Sequence, residues 1–241
     1  MADVQRHPPR RKSHYRDPLG ALTVASVVYL ISLLVALLAV PRIIALSLPV
    51  ALLQAIVFLA LWAPLVIGVY WAGRRYGDGD ARTDVGLRIR LIDLGIGLLV
   101  GLVLRFGVEA IAPSSPGATL DGTTAALPEV PLLVVIIVGT GLAAPFVEEL
   151  FFRGLLQRSV SGLVPGRRPA RVIVSVLVST PLFVLLHLAT SAPTLWGTVA
   201  IVTGISGLVF GLLAALTRRL GPGIVAHVVF NGVGLAILYV R

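Results

Sequence analysis

Few ionisable or imidazole side chains fall inside the apolar stretches of this 241-residue chain, and those that do are spaced for acid–base chemistry. They are Arg105 and Glu109; Glu148, Glu149 and Arg153; His187; and His227, with the amide Asn231 four residues on. At the centre of a bilayer each such charge costs at least about 2.5–3.5 kcal/mol, so each needs a partner or a chemical task. Arg105 and Glu109, four apart, neutralise each other along one helix face. Glu149 and Arg153 have the same spacing. Glu148 is turned about 100° from Glu149 and about 140° from Arg153 around a helix, which leaves it without a counter-charge and facing a polar cavity. His187 follows Glu148 by 39 residues and His227 follows His187 by 40, each interval one helix plus a loop. The three groups then come from three different spans, and His227 and Asn231 share one face of the last.

One carboxylate, two imidazoles and one carboxamide suffice for hydrolysis by water. Glu148 suits the general base, with His187 sharing the proton or orienting the water, while His227 and Asn231 suit donors to a developing oxyanion. Glu148, His187 and His227 equally form a two-histidine, one-carboxylate set of the type that holds catalytic zinc with an open position for water. Both readings stay open at this point. There is no H-E-x-x-H helix, so a conventional zincin is excluded, and the chain has no cysteine for thiolate catalysis, disulfides or thiolate zinc sites. A reading of another class is a non-proteolytic membrane protein: an immunity or scaffold factor, or a proton-coupled transporter in which Glu148 and the histidines relay protons. No internal repeat supports the transporter.

The elements that must position these groups are membrane spans. With 57% apolar residues, 13% charged and a mean hydropathy of +0.97, the composition belongs to an all-α, polytopic transmembrane bundle. Apolar runs at 19–40, 49–72, 91–112, 131–157, 171–190, 195–216 and 222–240 predict seven spans. The first is too long for a signal-peptide core and reads as an anchor. Residues 1–18 read as a disordered tail, 19–130 as N-terminal spans with a basic loop, and 131–241 as a catalytic core. With the N-terminus in the cytoplasm, inside segments hold 16 of the 20 basic residues. The segment 113–130 holds Asp121 and Glu129 and no basic residue. That asymmetry predicts a multi-pass protein of the plasma membrane with an inside N-terminus, and accounts for the net charge of +9 without nucleic acid.

The loop 74–90 carries Asp78, Asp80 and Asp84, but Thr83 and Ile89 stand where a calcium loop needs glycine and glutamate, so it reads as a solvated loop. Gly97 with Gly101, and Gly207 with Gly211, predict close helix packing. Counted from the preceding arginines, His227 lies about eight residues into its span and His187 about 16, a depth difference of about 12 Å. A kink at Pro181, or first turns of the fifth span that project past the others, would absorb it.

Glu148, Glu149 and Arg153 as E-E-x-x-x-R, Phe183 and His187 as F-x-x-x-H, and His227 and Asn231 as H-x-x-x-N occur in this order. In these motifs residues 131–240 resemble the CPBP intramembrane proteases. That family includes type II CAAX prenyl endopeptidases, bacteriocin-processing or self-immunity proteins, and the Abi group of bacteria. The resemblance implies an intramembrane cavity in which a peptide or membrane-protein substrate is cleaved. Glu148 and His187 would act on the attacking water, and His227 and Asn231 on the oxyanion, with Glu149, Arg153 and Phe183 in support. It also implies a family commonly named metalloproteases, with Glu148, His187 and His227 as the candidate metal ligands.

Overall fold

The computed structural model of the protein describes residues 15–113 and 128–240. The expected tail lies outside the described residues as far as position 14, and so does Asp121 with most of its segment. The described residues form eight helices: α1 (Pro18–Ile44), α2 (Val50–Tyr76), the short α3 (Ala81–Val85), α4 (Leu91–Ile111), α5 (Val130–Leu163), α6 (Arg168–Ala189), α7 (Pro193–Thr217) and α8 (Gly221–Val240). All except α3 are long and apolar enough to cross a membrane. There is no strand among the described residues. The chain is a multi-pass helical membrane protein, as the hydropathy predicts.

Contacts between helix ends show that the spans alternate in direction. The Asp17 N–H at the start of α1 donates to the Tyr76 carbonyl at the end of α2 (3.0 Å). Arg219, before α8, grips Asp93 at the start of α4 through two nitrogens (2.5–2.9 Å). Arg168 at the start of α6 donates to the Leu216 carbonyl of α7 (3.0 Å), and Arg158 of α5 to the Arg218 carbonyl (2.8 Å). These arginines satisfy carbonyls that the end of α7 leaves without intrahelical partners. Each span thus has one terminus at a common, arginine-rich end.

At that end the structure corrects the reading of 74–90 as a solvated loop. Asp78 and Asp80 are exposed, but Asp84 and Val85 are buried. Asp80 caps α3 and Gly86, at φ 74°, ends it in the left-handed region open to glycine. The chain then runs along the α7–α8 turn, where the Leu220 N–H donates to the Gly86 carbonyl and the Gly221 N–H to that of Arg88. Val85 is drawn in because α5 offers a side-chain-free spot: a Cβ on Gly154 would lie 2.8 Å from that of Val85. Burial raises the Asp84 carboxyl above its ordinary value, with Asp78 and Asp80 adding to it against the Asp78 N–H and Arg158. Burial and then the Asp84 charge push the Tyr15 phenol upward as well.

Elsewhere small residues set the packing, because lipid supplies no hydrophobic force between helices. Gly68 of α2 faces Val28 of α1; a Cβ there would stand 2.6 Å from a valine methyl. Gly97 and Gly101 of α4 face α8, and a Cβ on Gly101 would sit 2.6 Å from the Ala226 carbonyl oxygen. Gly207 and Gly211 of α7 face Thr180 and Val176 of α6. Both predicted glycine pairs therefore mark interfaces. Large apolar side chains such as Leu59, Ile67, Leu99 and Val103 point outward, as a lipid-facing surface requires.

Candidate active site

The polar seam of α5 begins where the helix widens. Pro145 lacks an N–H for the Gly141 carbonyl four residues earlier, and residues 137–143 form a π-helical segment. A second π segment runs from Glu149 to Leu156. Between them Glu148 and Glu149 diverge. Glu149 is fully buried; one oxygen lies 3.4 Å from Nη1 of Arg153 and 3.3 Å from Nδ1 of His227. Arg153 donates to the Gly207 carbonyl (3.2 Å) and lies 4.4 Å from the Phe183 ring centre, with Phe152 and Phe210 on its other sides. One turn on, Gln157 donates to the Gly211 carbonyl (2.9 Å) and accepts from Ser179. Glycines at 207 and 211 leave these helix carbonyls open to side chains from α5.

Glu148 points instead to the histidines, whose rings are held from behind. His187 Nδ1–H donates to the Phe183 carbonyl (2.8 Å) and its ring leans on that of Phe183. A carbonyl only accepts, so the neutral ring presents its lone pair at Nε2. His227 stacks on Phe210 and turns Nδ1 to Glu149. The two Nε2 atoms then lie 3.9 Å (His187) and 3.7 Å (His227) from the same Glu148 oxygen. Three sequence-predicted residues from α5, α6 and α8 are thus brought together. Asn231, one turn beyond His227, donates to the Thr140 carbonyl of the first π segment (2.8 Å), which leaves its second amide hydrogen for another acceptor.

The depth difference between the histidines is real and is absorbed by protruding turns. Phe210 stacks on His227 and its carbonyl lies beside Gly223, while the neighbouring Gly211 faces Val176. The start of α8 is therefore level with about Val176, so Arg168–Ser175 of α6 extend about 12 Å beyond it. Side chains close the remainder. Cβ atoms tilt toward the helix N-terminus, so the histidines on α6 and α8 lean one way and Glu148 on antiparallel α5 leans back toward them.

A cavity of about 50 Å³ adjoins Glu148 and His187, walled by Leu61, Trp62 and Leu65 of α2 and by Leu186 and Thr190 of α6. The donor chemistry suits zinc, since each imidazole offers Nε2 while Nδ1 is held by an outer oxygen. The spacing does not: tetrahedral zinc keeps its ligand atoms about 3.4 Å apart, and no group of three His, Cys, Asp or Glu among the described residues is disposed to hold a metal.

The spacing of four predicts Glu149 and Arg153 as a self-contained pair. The pair forms, but it also reaches His227, Gly207 and three phenylalanines. Gln157 was missed although it continues the spacing of Glu149 and Arg153 by four, and a search for polar residues at that period would have found it. The Arg105–Glu109 pair forms as predicted, and Arg105 lies over the Phe230 ring of α8 (5.4 Å). The wall from α2 has no signal in the sequence, because Leu61, Trp62 and Leu65 look like any lipid-facing residues.

Residues 130–233 match the family model for Rce1-like proteins, described as type II CAAX prenyl endopeptidases. No curated protein and no solved structure matches the chain. The matched segment runs from the start of α5 into α8 and contains every residue of the three motifs, whereas α1 to α4 lie outside it. Over this segment the chain is similar to Rce1-like proteins, in agreement with the resemblance carried by the three motifs.

Proposed function

We propose that the protein hydrolyses a peptide bond inside the bundle with a water activated by Glu148 and His187. One observation carries this: a single Glu148 oxygen faces Nε2 of both histidines at 3.9 and 3.7 Å, too far for direct hydrogen bonds and near enough for one water to contact the carboxylate and an imidazole together. Water donates one proton to Glu148 and the other to Nε2 of His187. As its oxygen bonds to the scissile carbonyl carbon, Glu148 takes the first proton and the carbonyl oxygen becomes an oxyanion. His227, held at Nδ1 by Glu149, turns Nε2 to that oxyanion, and the second N–H of Asn231 is the other donor. When the C–N bond breaks, Glu148 returns its proton to the departing amine. The substrate is a peptide or a segment of a membrane protein, since the cavity lies among apolar spans.

The test is cleavage of a peptide library by purified protein in liposomes. Glu148→Gln and His187→Ala each lower kcat about 10²–10⁴-fold, and Asn231→Ala about 10²–10³-fold. Full activity in the first two variants would show that the water is activated elsewhere.

A further inference from the structure

Resting on the endopeptidase reading, we propose that Trp62 of α2 determines specificity: its indole sets the largest side chain a substrate can place beside the scissile bond. The cavity next to Glu148 and His187 is only about 50 Å³, and Leu61, Trp62 and Leu65 supply its wall from α2. These three residues precede the matched segment 130–233, so this wall comes from a part of the chain that the family likeness does not reach.

The wall is rigid for reasons visible in its packing. Leu65 is 1% exposed and belongs to the buried core. Trp62 lies flat on Phe58, ring centres 4.7 Å apart and planes within 7°. Phe58 in turn rests on Gly139 of α5, where a β-carbon would collide with its ring. The indole is therefore braced by the same helix that carries Glu148. Swinging aside would break its stack on Phe58. Since Glu148 and His187 line the same small cavity, a side chain resting on the indole belongs to a residue that flanks the attacked carbonyl. Small and medium apolar side chains fill such a space, whereas an aromatic one overlaps the indole. Pocket walls of this kind discriminate by about 10- to 200-fold for each methylene added or removed.

Two measurements test the proposal separately from the hydrolytic reading. In the first, the full chain in liposomes receives a mixture of synthetic peptides with one position fixed in turn as Ala, Val, Leu, Phe or Trp, and products are read by mass spectrometry. Wild type favours Ala, Val and Leu beside the cut bond. Trp62→Ala raises the Phe-to-Ala rate ratio at least about tenfold, and Trp62→Phe falls between. The second uses the absence of native cysteine. In a Glu148→Gln background, a thiol introduced by Leu61→Cys is labelled with methyl methanethiosulfonate, and the same peptides are scored for protection. Protection is confined to the smaller side chains and extends to Phe when Trp62→Ala is added. A size ranking that neither Trp62 variant changes, in cleavage or in protection, overturns the proposal. If no peptide is cleaved but protection still follows side-chain size, the hydrolytic reading fails and the wall stands as a binding determinant.

Discussion

Glu148 and Glu149 are neighbours in sequence with opposite surroundings: one edges a cavity beside two imidazole nitrogens, the other is sealed among Arg153, His227 and Gly223. On the proposed mechanism Glu149 does not face the substrate; by engaging Nδ1 it leaves Nε2 of His227 to do so. Glu149→Gln therefore lowers kcat by about 10²-fold or more. Peptide turnover at saturating substrate checks this, with thermal unfolding run alongside, because Arg153 loses its nearest anion and removing one member of a buried pair costs about 3–5 kcal/mol. At this scale the sequence was most informative. Charges are so rare in the spans that Glu148, His187, His227 and Asn231 stand out, and spacing by four links Glu149 to Arg153. What it hid were contacts made with backbone, such as Arg153 with Gly207 and Asn231 with Thr140, since any residue offers a carbonyl.

Helices meet here where side chains are missing, and the clearest case is Gly101 of α4 against α8. A β-carbon at that position would stand 2.6 Å from the Ala226 carbonyl oxygen, beside the residue that carries His227. Gly101→Val drives α4 from α8 and lowers stability by about 1–3 kcal/mol. It also withdraws His227 from Glu148, so activity falls with it; thermal unfolding and turnover of one preparation measure both. Gly107, on the same helix, has nothing within 4 Å of an added β-carbon, and Gly107→Ala is the neutral control. Element existence was legible, because seven long apolar runs have no soluble alternative. Element ends were not. α1 runs to Ile44 and α5 to Leu163, several residues past the predicted limits. Arg42 binds the Leu38 carbonyl of its own helix and Arg158 the carbonyls of Asp84 and Arg218, so neither marks a helix end. The short α3 escaped notice because a five-residue helix carries no period to read, and only Gly154 on a distant segment explains why Val85 turns inward.

Taken as one body, the protein is fastened at its arginine-rich end by Asp84, Tyr15 and Arg158 on one side and by Asp93 with Arg219 on the other. Asp84 makes the first fastening weaken as pH rises. Its carboxyl is raised above the ordinary 3.8 by burial, so the folded protein holds that proton more tightly than the unfolded chain. The contribution is fully present below 3.8 and is lost as pH rises through the raised value, with Asp78, Asp80 and Arg158 setting how far. The melting temperature in detergent should fall across that window in wild type and change less in Asp84→Asn, which keeps an oxygen for the Asp78 N–H. The polar seam has a further consequence in time. A ribosome delivers α5 and α6 before α8, so Glu148 and His187 reach the membrane while His227 is still unmade. Until α8 docks against Gly97 and Gly101, Glu149 has no imidazole beside it. On the proposed mechanism the site is therefore complete only once α8 is in place.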